Sequence, residues 1–472
     1  MKGGPGAKAG ALAGVVLMLA AARPAGAAEP PAGGQPDLLT LERAVALALA
    51  ENPGLAAERA ATRVATGAVR ERRAARWPVV EVGVDGSRTT NPVAVFGQLL
   101  SQERFREENF SVGFLNEPDP LTDLATRITV AQPIWSFGRI TAGVEGAERR
   151  AGAAEAGLER ARQELVFRVV ERYTGAVASR RAVEVRRAAL EAARESVRLT
   201  RDLFETGLVV ESDLLQARVL ESEARSALAR AESDAAVARA ALNLELGLPL
   251  DAPARLPEDL GPPPAPADLP LPALVEEAEG LRPDLQAARE QVAAARIALR
   301  GARAERLPEL GWSGAVEAHA QDPTDDPGSN WTVGLGLRWT GFDGFATESR
   351  IDQARARLEE AEHRAELARR GVALEVEAAH RELETVELRW AEARDAVALA
   401  ERSAEIIRDR YREGLTTVVE LLDAETLVSG ARTRELQARR ELAVARAALD
   451  LAVGRRWSGP PAAAHPAGLP EP

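Results

Sequence analysis

Histidine is the side chain best suited to hold a metal or move a proton near neutrality, and this chain has four. His319 falls in an expected hairpin loop, His363 and His380 in a charged helical stretch, and His465 in a Pro/Ala-rich tail. No metal-ligand spacing joins them. Cysteine is absent, which removes disulfides, thiol nucleophiles and Cys-linked lipid anchors together. Acidic pairs such as Glu359-Glu360 belong to a helix surface where acids and bases meet four residues apart. Gly334-Leu335-Gly336 sits inside an alternating pattern and lacks the Lys of a phosphate loop. These residue types point away from an enzyme, a metal site and a cofactor. A net charge of −12 argues against a nucleic-acid partner.

Repetition carries the information instead. Arg201–Leu248 returns at Arg408–Arg455, offset by 207 residues without a gap and with 21 identities in 48 positions. The Gly-Leu pairs Gly207-Leu208 and Gly414-Leu415 recur, with Phe204 and Tyr411 three residues before each Gly. A fixed-offset repeat has to be read before any fold is assigned. Each copy reads as a helix, a turn at Gly-Leu and a returning helix. Gly suits the left-handed position that ends the first helix.

The elements around these turns follow in order. Residues 1–27 have a basic start, a short apolar run and an A-x-A site, the pattern of a secretory signal peptide. The first repeat spans 28–248. It holds hairpin strands at about 79–86 and 125–133, a long helix at 139–206 and a return helix at 211–247. A long loop is expected between its strands. A Pro-rich linker covers 249–272. The second repeat, 273–455, has strands at about 309–317 and 331–340, a long helix at 346–413 and a return helix at 417–453. The tail, 456–472, has the composition of a disordered segment. The long helices would reach about 100 Å at 1.5 Å per residue.

Val80, Val82 and Val84 alternate with Glu81, Gly83 and Asp85. Trp331, Val333, Leu335, Leu337 and Trp339 alternate with Thr332, Gly334, Gly336 and Arg338. Four such strands are too few to close a barrel, which takes about eight. Left open they expose edges and an apolar face. Further subunits would close them in an outer membrane, where aromatic residues gather at the interfaces. Of 18 aromatics, 12 lie in the two hairpin regions. A soluble β-core packed on helices, and an exported coiled-coil scaffold, are the alternatives.

In this order of elements the chain resembles the TolC family of outer-membrane efflux proteins, over about Leu39–Gly454. The carrying residues are Pro133-Ile134-Trp135-Ser136-Phe137-Gly138-Arg139 and Phe342-Asp343-Gly344, which look like the family's strand-to-helix junction, and the two Gly-Leu turns. Phe96-Gly97-Gln98-Leu99-Leu100 through Phe114-Leu115-Asn116 resembles the long outer loop of some branches. The resemblance implies a mainly α fold of two tandem structural repeats. It implies a homotrimer forming a twelve-stranded transmembrane β-barrel, continued by a periplasmic α-helical barrel. Trp135, Phe137, Trp331, Trp339 and Phe342 would then sit at the membrane interface against outer-membrane lipid. The implied function is the exit duct of a tripartite efflux system, with a periplasmic adaptor and an inner-membrane pump or ABC transporter as partners. Type I protein secretion by the same fold is left open.

The resemblance also places the tip. Gly207, Leu208, Gly414 and Leu415 would face the adaptor. Glu420 and Asp423 would line the pore entrance, and Asp213 and Tyr411 would join the network that closes it. Thr416 stands where the family carries an Arg, which points to a looser or differently closed entrance. The two copies also differ: Glu211-Ser212-Asp213 in the first, Val418-Val419-Glu420 and then Asp423 in the second. Acidic rings at a constriction favour cations. Glu420→Gln combined with Asp423→Asn is therefore expected to weaken cation selectivity, read as a shift of reversal potential in planar bilayers. An unchanged potential would count against an acidic entrance.

Overall fold

The computed structural model describes residues 38–261 and 270–457. The expected signal peptide, 262–269 of the linker and 458–472 of the tail lie outside the described residues. The chain opens with α1 (Leu41–Glu51) and α2 (Pro53–Ala74), followed by strand β1 (Val79–Thr89). Next come short helices α3 (Pro92–Ser101) and α4 (Val112–Asn116), strand β2 (Leu121–Trp135), the long α5 (Arg139–Glu205) and α6 (Glu211–Glu245). The second half runs α7 (Leu271–Leu281), α8 (Pro283–Ala304), β3 (Glu309–Ala320), β4 (Gly328–Arg338), α9 (Ala346–Arg412) and α10 (Val418–Val453). α5 and α9 have 67 residues each, so each is about 100 Å long.

Several expected bounds move. The strands placed at 79–86 and 125–133 extend to Thr89 and back to Leu121, because antiparallel pairing continues from Val79↔Ala131 out to Thr89↔Leu121. The connection between them is not an irregular loop. Asn91 caps α3 through its side chain, Pro92 takes the first turn, and Val95 and Leu99, four apart, bury one face. β3 continues past 317 to Ala320, so His319 lies in a strand and not in a loop. β4 starts at Gly328 instead of 331.

Two of the helical cores among the described residues lie at matching positions. In the first half Leu165, Val169 and Tyr173 of α5 pack with Ala44 and Ala48 of α1 and Leu242 of α6. In the second, Val372 and Val376 of α9 pack with Leu274 and Ala278 of α7 and Leu449 of α10. Burying each Leu or Val contributes about 1.5–3 kcal/mol. The buried Tyr173 hydroxyl donates to the Leu39 carbonyl at 2.9 Å. Its pKa is pushed up to about 12 by burial and by the charge of Glu42.

The break between paired helices is tied to the end of the return helix in the same way in both halves. Asn52 Nδ2 donates to the Glu245 carbonyl at 2.9 Å. Arg282 Nη1 donates to the Ala452 carbonyl at 3.0 Å and also holds Asp284 and Glu375. Burial alone would raise the Asp284 carboxyl, but hydrogen bonding and charge from Arg282 bring it below its ordinary value. Each return helix then ends on a left-handed glycine, Gly247 (φ +73°) or Gly454 (φ +84°), pressed against the preceding helix break.

At Gly247 a Cβ would stand 2.6 Å from the Glu51 carbonyl oxygen, whereas at Gly207 (φ +78°) nothing lies within 4 Å. Both sites cost an alanine about 1–2 kcal/mol for left-handed backbone. Gly247→Ala is therefore expected to lower the thermal midpoint clearly more than Gly207→Ala, measured by far-UV circular dichroism in detergent. Equal losses would mean that the close approach at Glu51 contributes nothing.

Candidate functional site

The distal turns follow from local chemistry. α5 ends with Leu208 N–H donating to the Leu203 carbonyl and Gly207 N–H to the Phe204 carbonyl, both at 2.9 Å. α9 ends identically, Leu415 to Arg410 at 2.9 Å and Gly414 to Tyr411 at 3.0 Å. This paired closure satisfies two helix-end carbonyls and needs a left-handed residue, supplied by Gly207 and Gly414 (φ +72°). It leaves Leu208 and Leu415 projecting, 71% and 62% exposed.

Beside the second turn, Thr417 caps α10 by accepting from Glu420 N–H at 3.4 Å. Glu420 lies in the first turn, where the helix dipole favours an anion. Glu420 and Asp423 are exposed and three residues apart, so they share a helix face, while Val418 and Leu421 are buried. Asp213, in the first turn of α6, is half-buried.

Tyr411 is buried at the centre of the tip, packed with Val418, Leu421, Leu199 and Leu203. Its hydroxyl meets Thr200 Oγ1 of α5 at 3.2 Å, so it bonds the second helical hairpin to the first. Burial raises its pKa, the Thr200 bond opposes this, and the charge of Asp213 adds to it. Asp213 thus acts on Tyr411 through its field, and the hydroxyl's partner is Thr200. Thr416 Oγ1 is buried without a partner. Within the second hairpin Arg408 Nε donates to Glu425 at 3.1 Å, and Arg186 of α5 reaches Ser429 of α10 at 3.1 Å. Sequence reading missed Thr200, Arg408, Glu425, Arg186 and Ser429. Thr200 and Tyr411 lie 211 positions apart, and no local pattern joins them.

At the other end the strands form one antiparallel sheet in the order β1-β2-β3-β4. Its registers sort the side chains into two faces. Val82, Ile128, Val316 and Trp331 make one cross-strand row, and Val80, Val130, Gly314 and Val333 the next. The opposite face carries Gly83, Arg127, Glu317 and Asn330 in one row and Glu81, Thr129, Ala315 and Thr332 in another. Arg127 and Glu317 pair across it at 2.7 Å. The apolar face is open: Val82, Val84, Trp331, Val333, Leu335 and Leu337 are each more than two-thirds exposed. Among the described residues no helix is long and apolar enough to cross a membrane.

Strand passes to helix through two consecutive left-handed residues, Phe137 (φ 50°) and Gly138 (φ 90°), then Gly344 and Phe345 (both φ 67°). The caps lie just before them. Ser136 Oγ accepts from Ile140 N–H at 3.2 Å, and Asp343 accepts from Thr347 N–H at 2.9 Å. Trp135 and Phe137 stack edge to face at 6.0 Å, and Phe342 and Phe345 at 5.4 Å. Trp339 donates to the Arg306 carbonyl at 3.0 Å. Trp135, Phe137, Trp339 and Phe342 therefore belong to the helix end of the sheet, while Trp331 lies toward its far end.

Long helical hairpins standing on a sheet with one apolar and one polar face are the fold of outer-membrane channels. The Campylobacter jejuni CmeC outer-membrane channel superposes with a TM-score of 0.75 at 18% identity, covering 88% of this chain and 85% of that one. The model of the outer membrane efflux protein family matches residues 44–248 and 274–455. The chain belongs to this family and is an outer-membrane protein. Protein CyaE of Bordetella pertussis is 28% identical over 434 residues, 90% of this chain and 86% of its own length. Outer membrane efflux protein BepC of Brucella suis is 25% identical over 344 residues, 71% of this chain and 74% of its own.

Tyr411→Phe leaves the Thr200 hydroxyl buried without its partner, which costs about 1–3 kcal/mol. Adding Thr200→Val should return most of that loss, seen as a recovered thermal midpoint. Additive losses would mean that the hydroxyl pair is not the tie between the hairpins.

Proposed function

We propose that three copies of the chain close their four-stranded sheets into a twelve-stranded barrel in the outer membrane, the apolar face against lipid and the polar face around a lumen. The observation that carries this reading is the sheet itself: β1 and β4 are edge strands, and the two faces differ in chemistry along every strand. An open edge cannot remain unpaired in lipid. Closure by neighbouring copies satisfies both edges and turns the paired Arg127 and Glu317 toward the lumen. Trp135, Phe137, Trp339 and Phe342 then form the inner aromatic girdle.

The two halves act as tandem repeats, each ending in a helical hairpin about 100 Å long. Six hairpins make a periplasmic tube continuous with the barrel. The protein is the passive exit duct of a tripartite efflux system, fed by an inner-membrane pump through an adaptor that seats on the tip turns at Gly207, Leu208, Gly414 and Leu415. It needs no cofactor, because the duct supplies a path and a field, and the pump supplies the work. Glu420 and Asp423 make acidic rings at the entrance. Tyr411, Thr200 and Asp213 brace the second hairpin on the first. With Thr416 in place of an Arg, the uncharged Tyr411–Thr200 bond takes over the closing role.

The second hairpin lines the pore in this reading and the first supports it. The chain has no native Cys, so single substitutions report cleanly. Leu415→Cys is expected to cross-link between subunits and cut single-channel conductance, while Leu208→Cys leaves conductance unchanged. Cross-linking at both sites without loss of conductance would refute the assignment. Release of the wild type by carbonate washing, with no conductance in bilayers, would refute the duct and favour a periplasmic scaffold.

A further inference from the structure

The segment between β1 and β2 has a place that the duct does not require. It does not extend the strands outward into solvent. It folds back onto the polar face at the far end of the sheet. Gln98 Nε2 donates to Ser87 Oγ at 3.0 Å. Gln102 Nε2 donates to the Thr122 carbonyl and to Asp123 Oδ1, both at 2.9 Å. Ser87 and Asp123 are register partners and share a face with Arg127 and Glu317. Leu121 of the same face is buried under Val95 and Leu99 of α3, with Phe105 and Phe114 packed alongside.

The seat is close-fitting. Gly328, at the start of β4, would place a Cβ only 2.2 Å from the Ser101 carbonyl oxygen and 2.7 Å from the Gln102 carbonyl carbon. Only a glycine admits the end of α3 here. Beneath it Asp123 is 5% exposed, Gln102 3% and His319 9%. His319 Nδ1 meets Asp123 Oδ2 at 3.0 Å, and its Nε2 faces Glu317 at 3.5 Å. Glu103 accepts from Ser329 N–H at 3.4 Å, and Arg104 pairs with Asp325 at 3.4 Å across the β3–β4 turn. A buried polar group without a partner is costly, and Asp123 is the shared partner that holds both Gln102 Nε2 and His319 Nδ1, while Gln102 Oε1 is buried without one. Parting Gln102 from Asp123 would break that hold.

Resting on the duct reading above, we propose that the α3–α4 segment is a cap seated inside the outer mouth, latched by Gln102, Asp123 and His319 over Gly328. Three caps narrow the exit and set the size of what leaves it. The cap is a selectivity element at the end opposite the acidic entrance.

The test is single-channel conductance in planar bilayers. Asp123→Ala removes the shared acceptor of Gln102 and His319, and is expected to raise conductance and admit larger polyethylene glycol blockers. Gln102→Cys combined with Asp123→Cys does the same while its thiols are free. Bridging that pair with a short bifunctional thiol reagent returns conductance to the wild-type level. Wild-type conductance in all three states overturns the cap. So does insertion of the wild type without insertion of either variant, because a cap is dispensable to the barrel. A wild type that inserts but conducts nothing defeats the duct reading first, and the cap falls with it.

Discussion

Backbone amides and carbonyls have to be paired wherever water is absent, and this obligation governs the whole molecule. The described residues of a single chain supply four strands, whose inner ladders run unbroken from Val79↔Ala131 to Glu309↔Arg338 apart from a shift near Pro133. The edges at β1 and β4 cannot be satisfied from within the same sheet. The alternation of Val, Ile, Leu and Trp with Gly, Thr and charged residues then gives the sheet one apolar and one polar face. Val82, Trp331, Leu335 and Leu337 of the apolar face stay exposed on an otherwise charged protein.

The helices solve a different problem, which is to project rods about 100 Å from that sheet without a globular body to support them. Each long helix is braced along its length by shorter ones: α5 by α2, α6, α8 and α10, and α9 by α8 and α10. Small residues allow the close approach, as where Gly301 would bring a Cβ within 3.3 Å of the Ala142 methyl. Polar contacts between the two halves are spaced along the rods, from Arg139–Glu309 beside the sheet to the tip. Gln163 reaches the Gly454 carbonyl at 2.8 Å, Arg186 reaches Ser429, and Thr200 reaches Tyr411 at the tip.

Features with a short-range cause were legible in the sequence. The turns at Gly207 and Gly414, the alternation in β1 and β4, and the 207-residue offset each depend on residues a few positions apart or on simple identity. The sequence alone therefore determined the two long hairpins, the left-handed turns that end them, and the two chemical faces of the strands. Tertiary structure decided the rest, because the partners are remote in sequence and have ordinary residue types. His319 looked like a loop residue until β3 ran on to Ala320 and set it against Asp123, 196 positions earlier. Pro92–Asn116 looked like an irregular loop because its helices are too short to show a period, and only contact with Leu121 and Gly328 fixes where they lie. Thr200 carried no local signal at all. Its role exists only because two hairpins pack side by side and bury a hydroxyl that then requires a partner.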